Sequence, residues 1–200
     1  MFRVGITGGI GSGKTTVCKI FEILGIPVFY ADDVAKLIMI TNSNLIEAIK
    51  ENFGKDSYSP KGEINRKYIA NQVFNDPKKL EKLNNLVHPQ VFKEMDLWSS
   101  NQKSPYVLKE AALLFESKSY LQNNANVLIT SPFDLRFLRL IKRDNTTKEK
   151  IQERMDTQLS ETEKQKLANY TVNNNELDFL IPQILNLHQI FLQKSKQYNY

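Results

Sequence analysis

Cysteine is nearly absent from the 200-residue chain: Cys18 stands alone. One cysteine excludes an internal disulfide and fits a reducing compartment; its place on a helix face marks it as a packing residue. Apolar residues never run long enough to span a bilayer. The N-terminus leads straight into a strand pattern rather than a charged-then-apolar leader, so a cytoplasmic location is expected. Internal repeats and low-complexity segments are missing too. So are the switch and base-reading strings of a GTPase, Asp-x-x-Gly and Asn-Lys-x-Asp. Nor is charge of one sign in strong excess. The net charge of +5 suits an anionic small molecule as well as it suits nucleic acid. What remains is a soluble globular chain, long enough to bury a core.

The chain does contain Gly8-Gly9-Ile10-Gly11-Ser12-Gly13-Lys14-Thr15, a match to G-x-x-x-x-G-K-[ST]. Glycines permit positive φ and let main-chain N–H groups approach phosphate oxygens with no Cβ between. The loop must open a helix whose free N–H groups and positive dipole end face the anion. Lys14 is the cation for the β- and γ-phosphates, and Thr15 the hydroxyl for Mg2+. Gly9, Gly11, Ser12, Gly13, Lys14, Thr15 and Thr16 form the candidate nucleotide-binding set. The context agrees. Phe2 to Thr7 reads as a buried strand. Val17, Ile20, Phe21 and Leu24 fall on one helix face, which Gly25 ends with Pro27 just beyond.

Ile26 to Tyr30 reads as a second strand, followed by Asp32, Asp33 and a helix carrying Val34, Leu37 and Ile38. That spacing puts a carboxylate at the sheet edge where ligands of open α/β sheets gather. Helical patterns follow over 44–53, from a cap at Asn65, from Asp76-Pro77, and again after His88-Pro89, which is expected to break the helix. Strands are expected at 105–108, 126–130 and 170–172, helices from Phe133, after the capping box Ser160-x-x-Glu163, and over Leu177 to Phe191, with a frayed tail over 194–200. The expected fold is a three-layer α/β sandwich on a five-stranded parallel sheet that opens with the phosphate loop. Its core spans about 1–41, 104–135 and 168–200, with a helical substrate-binding insert at about 42–103 and a lid at about 136–167.

The fourth strand ends in Thr130, not in the Asp of an ATP-driven motor or helicase. A short chain, a helical insert and a basic segment favour a small-molecule kinase. Such an enzyme needs an acceptor for the attacking hydroxyl's proton and charge compensation on the transferring phosphoryl group. Asp32 is the candidate for the first; its other reading is a helix cap. Arg139 and Arg143 share a helix face, and with Arg154 beyond a turn they read as lid guanidiniums for phosphate. Two alternatives stay open: a kinase for a nucleoside or small hydroxy acid, and a nucleotide-binding regulatory or nucleic-acid-binding module, whose binding would weaken steeply with salt.

Taken together, these motifs resemble the dephospho-coenzyme A kinase family. The residues are Gly5 to Thr16, Tyr30-Ala31-Asp32, Gly62 to Arg66, Val73-Phe74-x-x-Pro77, Leu86 to Pro89, Leu113 to Glu116, Arg139-x-x-x-Arg143-Asp144, Gln158 and Val172-Asn173-Asn174. The resemblance implies Mg2+- and ATP-dependent phosphorylation of the ribose 3′-hydroxyl of dephospho-CoA, with Asp32 taking the proton and Lys14 and Arg139 serving catalysis. It places Arg66, His88 and Glu116 at the acceptor, Arg139, Arg143 and Arg154 in the lid and Asn174 near the adenine. A monomer is expected, acting on a small molecule, without nucleic-acid or membrane partners. Three positions depart from the family pattern: Tyr30 for the first Asp of Asp-Ala-Asp, Ala112 for a proline and Glu176 for a glycine.

Overall fold

Short apolar strands separate groups of helices along the chain. The computed structural model describes residues 1–74, 76–144 and 147–198. In chain order the elements are β1 (Phe2–Gly8), α1 (Lys14–Ile23), β2 (Val28–Tyr30), α2 (Ala31–Thr41), α3 (Ser43–Phe53), α4 (Arg66–Val73) and α5 (Pro77–Ser100). They continue as β3 (Tyr106–Glu110), β4 (Ala125–Thr130), α6 (Phe133–Asp144), α7 (Lys148–Asp156), α8 (Glu161–Leu167), β5 (Tyr170–Asn173) and α9 (Leu180–Tyr198). By contacts the chain forms two compact units, Met1–Tyr30 with Asn101–Tyr200, and Ala31–Ser100.

The first unit holds a parallel five-stranded sheet in the order β2-β3-β1-β4-β5. Ile6 pairs with Glu110 on one side of β1, and Gly8 with Ile129 on the other. The chain therefore steps to one side of β1 for β2 and β3, then to the other side for β4 and β5. The crevice at such a switch point, at the carboxyl ends of the strands, is where ligands bind in open α/β sheets. Val4, Ile6, Tyr106, Leu108, Val127 and Ile129 meet Val17, Phe21, Ile184 and Phe191 of α1 and α9 in one core. Each fully buried side chain of that size contributes roughly 1.5–3 kcal/mol. Leu128 alternates with Val127 and Ile129, so it points to the other face, where α8 packs against β4. Both faces of the sheet are thus covered, as an all-parallel sheet requires.

The second unit is helical. Asn42 caps α3 by accepting the N–H of Leu45 at 3.0 Å, and Asn65 caps α4 by accepting that of Tyr68 at 3.1 Å. Tyr58 donates its hydroxyl to Met39 O at 2.7 Å, and Tyr68 donates to Phe53 O at 2.9 Å. These bonds pin the loop between α3 and α4 onto its neighbours.

Three expectations fail. Pro89 does not break the helix: α5 runs unbroken through it to Ser100. A proline in a helix interior costs about 3 kcal/mol. Here Val87, Val91 and Met95, spaced four apart on one face, are buried at 7, 5 and 2% exposure, and that burial outweighs the lost bond. The tail is not frayed either. α9 is helical to Tyr198, with Ser195 buried and the Tyr198 ring edge-on to Phe2 at 5.9 Å; residues 199 and 200 lie outside the described residues. Leu177, expected on the last helix, precedes it and is exposed. Among the described residues no helix is long and apolar enough to cross a membrane.

Candidate active site

β1 delivers the chain to the glycine loop and α1 takes it away. Between them Ser12 N–H donates to Gly9 O at 3.0 Å, which closes the turn. Gly11 and Gly13 sit at φ 79° and 95°, in the left-handed region that disfavours a Cβ. α1 has no side-chain cap and no acidic residue in its first turn. Its amino end therefore presents a positive dipole with no carboxylate beside it, an arrangement that suits an anion. Lys14 Nζ donates to Gly8 O at 3.1 Å, so the cation is folded along the loop. Thr15 and Thr16 are exposed at the first turn. Ser12 is 1% exposed, and among the described residues its Oγ has no hydrogen-bond partner. Behind the loop Cys18 is fully buried. Burial pushes its thiol well up, with Glu110 and Glu22 adding and Lys14 opposing. This thiol packs and does not react.

The turn after β5 closes on the same loop. Asn174 Nδ2 donates to Ser12 O at 2.8 Å. Arg139 reaches that turn from α6. It donates to Ser131 Oγ at 3.1 Å and to Asn174 O at 3.3 Å, and it pairs with Glu176 at 2.9 Å. Glu176 has φ 66°. A left-handed backbone is the physical reason for a glycine there, and in this chain the ion pair to Arg139 accompanies the strain. Arg143 stands one turn further along α6, and Arg154 lies beyond it in the last turn of α7; both are exposed. The Asp144 side chain, part of the same motif, lies outside the described residues. Tyr30 turns back toward α1: its hydroxyl donates to Glu22 Oε1 at 3.1 Å, and burial raises it well above the usual phenol range.

Glu116 is placed within the first unit. Its Oε1 accepts the Leu159 N–H at 2.9 Å and pairs with Lys164 Nζ at 3.0 Å. Lys164 is 2% exposed. The structure thus brings the loop, Arg139 and Asn174 together, with Glu116 on the segment facing α8. Asp32, Arg66 and His88 belong to the helical unit. Asp32 lies exposed in the first turn of α2, immediately after the strand end at Tyr30; Arg66 opens α4; half-buried His88 lies beside Phe92 in α5.

Sequence reasoning missed Arg136 and Lys164 as site residues, and saw Gln158 only as a motif match. Arg136 Nε donates to Ile10 O at 3.0 Å, and Gln158 Oε1 accepts the Ile10 N–H at 3.1 Å. Burial pulls the Arg136 guanidinium below its ordinary value, opposed by Glu161. The one signal for Arg136 was its spacing from Arg139 and Arg143 on α6.

The sequence profile of the family described as dephospho-CoA kinase matches residues 2–178. The chain belongs to the dephospho-CoA kinase family. Family members similar to it include the dephospho-CoA kinase of Idiomarina loihiensis, 37% identical over 96% of this chain and 95% of that one. The dephospho-CoA kinase of Mannheimia succiniciproducens is 36% identical over 98% and 94%. Among solved structures, a Thermus thermophilus protein aligns with a TM-score of 0.82 at 29% identity, covering 96% of this chain and 97% of that one. The dephospho-CoA kinase from Campylobacter jejuni aligns with a TM-score of 0.67 at 26% identity, covering 96% and 98%. The family match explains why loop, sheet order and Arg139 cluster occur together: the fold is the P-loop kinase sandwich, and its members are phosphotransferases acting on an alcohol group.

Proposed function

We propose that this chain transfers the γ-phosphoryl group of ATP to the ribose 3′-hydroxyl of 3′-dephospho-CoA, giving CoA and ADP, the final step of coenzyme A biosynthesis. The observation that carries the reading is the family match over residues 2–178 in a chain that keeps the complete glycine loop. Lys14 leaves Gly8 O for the phosphates when nucleotide binds. Main-chain N–H groups at the start of α1 turn to the β-phosphate. Arg139, Arg143 and Arg154 neutralise charge on the nucleotide, and Asn174 stands toward the adenine. Asp32 accepts the 3′-hydroxyl proton, leaving the oxygen free to attack in line. Arg66, His88 and Glu116 serve the acceptor, the helical segment 42–103 is its binding insert, and the segment 136–167 is the lid that excludes water.

Mg2+ fits this site through Thr15, whose exposed side chain lies in the first turn of α1. Mg2+ at a phosphate site is commonly held by the phosphates and water together with one or two protein oxygens. Bound there, it would supply charge neutralisation for the transferring phosphoryl group. The enzyme works as a cytoplasmic monomer, without nucleic acid or membrane.

ADP release over a panel of acceptors tests the reading. Turnover is expected with dephospho-CoA and not with nucleosides or small hydroxy acids. The reverse preference would replace this function by another small-molecule kinase activity.

A further inference from the structure

The Ile10 peptide unit is held on both sides by side chains distant in sequence. Gln158 Oε1 accepts its N–H at 3.1 Å, and Arg136 Nε donates to its carbonyl at 3.0 Å. The Arg136 guanidinium also closes on Gly9, where a Cβ would stand 2.7 Å from its central carbon. An amide already engaged by a carboxamide is not offered to a phosphate. The Ile10 peptide is therefore framework on both its faces, and the anion must be met elsewhere along the loop.

The two clamping side chains are themselves fixed. Arg136 is 13% exposed and lies 3.6 Å from Glu161. Leu159, next to Gln158, donates its N–H to Glu116, which is paired with buried Lys164. Gln158 stands just beyond α7, so the chain leaving that helix is tied directly to the loop.

We infer that Gln158 and Arg136 are positioning residues for phosphoryl transfer. They hold the outer arm of the glycine loop in the geometry that the nucleotide needs, and they join it to the end of α7. Without them the nucleotide must order the arm itself, and affinity falls by what the bonds contributed. The turnover part of this inference rests on the kinase reading; the binding part does not.

Gln158→Met keeps the side-chain length and removes the acceptor. Arg136→Lys keeps the charge and removes the Nε donor. In calorimetric titrations with ATP, each variant loses about 2- to 10-fold in affinity. The KM for ATP rises by a similar factor, and the acceptor KM stays unchanged. Because both side chains hold one peptide, the double variant loses less than the product of the single losses. If Gln158→Met does not fold, Arg136→Lys carries the test. Wild-type affinity in the folded variants overturns the inference, as does a loss that only follows a lowered unfolding midpoint. Clamp losses in a protein that binds ATP yet leaves dephospho-CoA unphosphorylated would sink the functional reading and leave the clamp standing.

Discussion

Gly13 and Gly25 share a backbone conformation but not a neighbourhood, and replacing each by alanine separates two effects. Gly13 has φ 95° and Gly25 φ 80°. A Cβ in the left-handed region costs about 1–2 kcal/mol in either place, offset in both by about 0.4–1 kcal/mol from the stiffer unfolded chain. At Gly25 a Cβ meets nothing within 4 Å. At Gly13 it would stand 2.1 Å from Asn174 Nδ2, the atom that donates to Ser12 O at 2.8 Å. Asn174 must swing away. That loses a hydrogen bond worth about 0.5–1.5 kcal/mol and pushes the side chain off its rotamer at a similar cost. Gly13→Ala is therefore expected to be less stable than Gly25→Ala by about 1–3 kcal/mol in urea unfolding without nucleotide. ATP titration should show at least about 10-fold weaker binding for Gly13→Ala and wild-type binding for Gly25→Ala. Adding Asn174→Ala to Gly13→Ala should recover part of the stability loss. Equal stability of the two variants, with ATP affinity intact in both, would refute the reasoning.

The buried pair of Glu116 and Lys164 gives a second expectation. Lys164→Met strands a carboxylate whose Oε2 already lacks a hydrogen bond; a loss of about 3–5 kcal/mol follows, largely recovered in Lys164→Met/Glu116→Leu, as urea midpoints will show. Third, His188 Nδ1 lies 2.7 Å from the Tyr106 hydroxyl, and burial lowers the imidazole below its ordinary value of 6.5. The unfolded chain then takes up this proton first. The contribution of His188 is complete above pH 6.5 and is lost as pH falls through the lower folded value. A stability–pH profile should show that decline, and His188→Asn should remove it; an unchanged profile in the variant would assign the decline to other groups.

The glycine loop was legible because its chemistry is local: anion binding demands small residues, a lysine and a helix start within one short stretch. The strands were legible for a related reason, since runs such as Val127-Leu128-Ile129 are buried on both faces. Caps at Asn65, Asp76 and Ser160 likewise need only neighbours a few residues away. The clamp on Ile10 was not legible. Its partners lie 126 and 148 residues along the chain, and nothing local marks a glutamine as the acceptor for a loop amide. Lys164 was hidden similarly: on a short, charged, well-capped helix it reads as solvated, and only the distant Glu116 makes its burial possible. Pro89 misled because local cost was weighed without the tertiary burial of Val87, Val91 and Met95.

The central claim is that the loop grips the triphosphate while Asp32 readies the sugar hydroxyl. Single-turnover quench of wild type and Asp32→Asn, with ATP binding measured on the same samples, tests it most directly. The account predicts equal ATP affinity in the two proteins and phosphoryl transfer to dephospho-CoA slower by about 100-fold or more in Asp32→Asn. Transfer at the wild-type rate by the variant would contradict it.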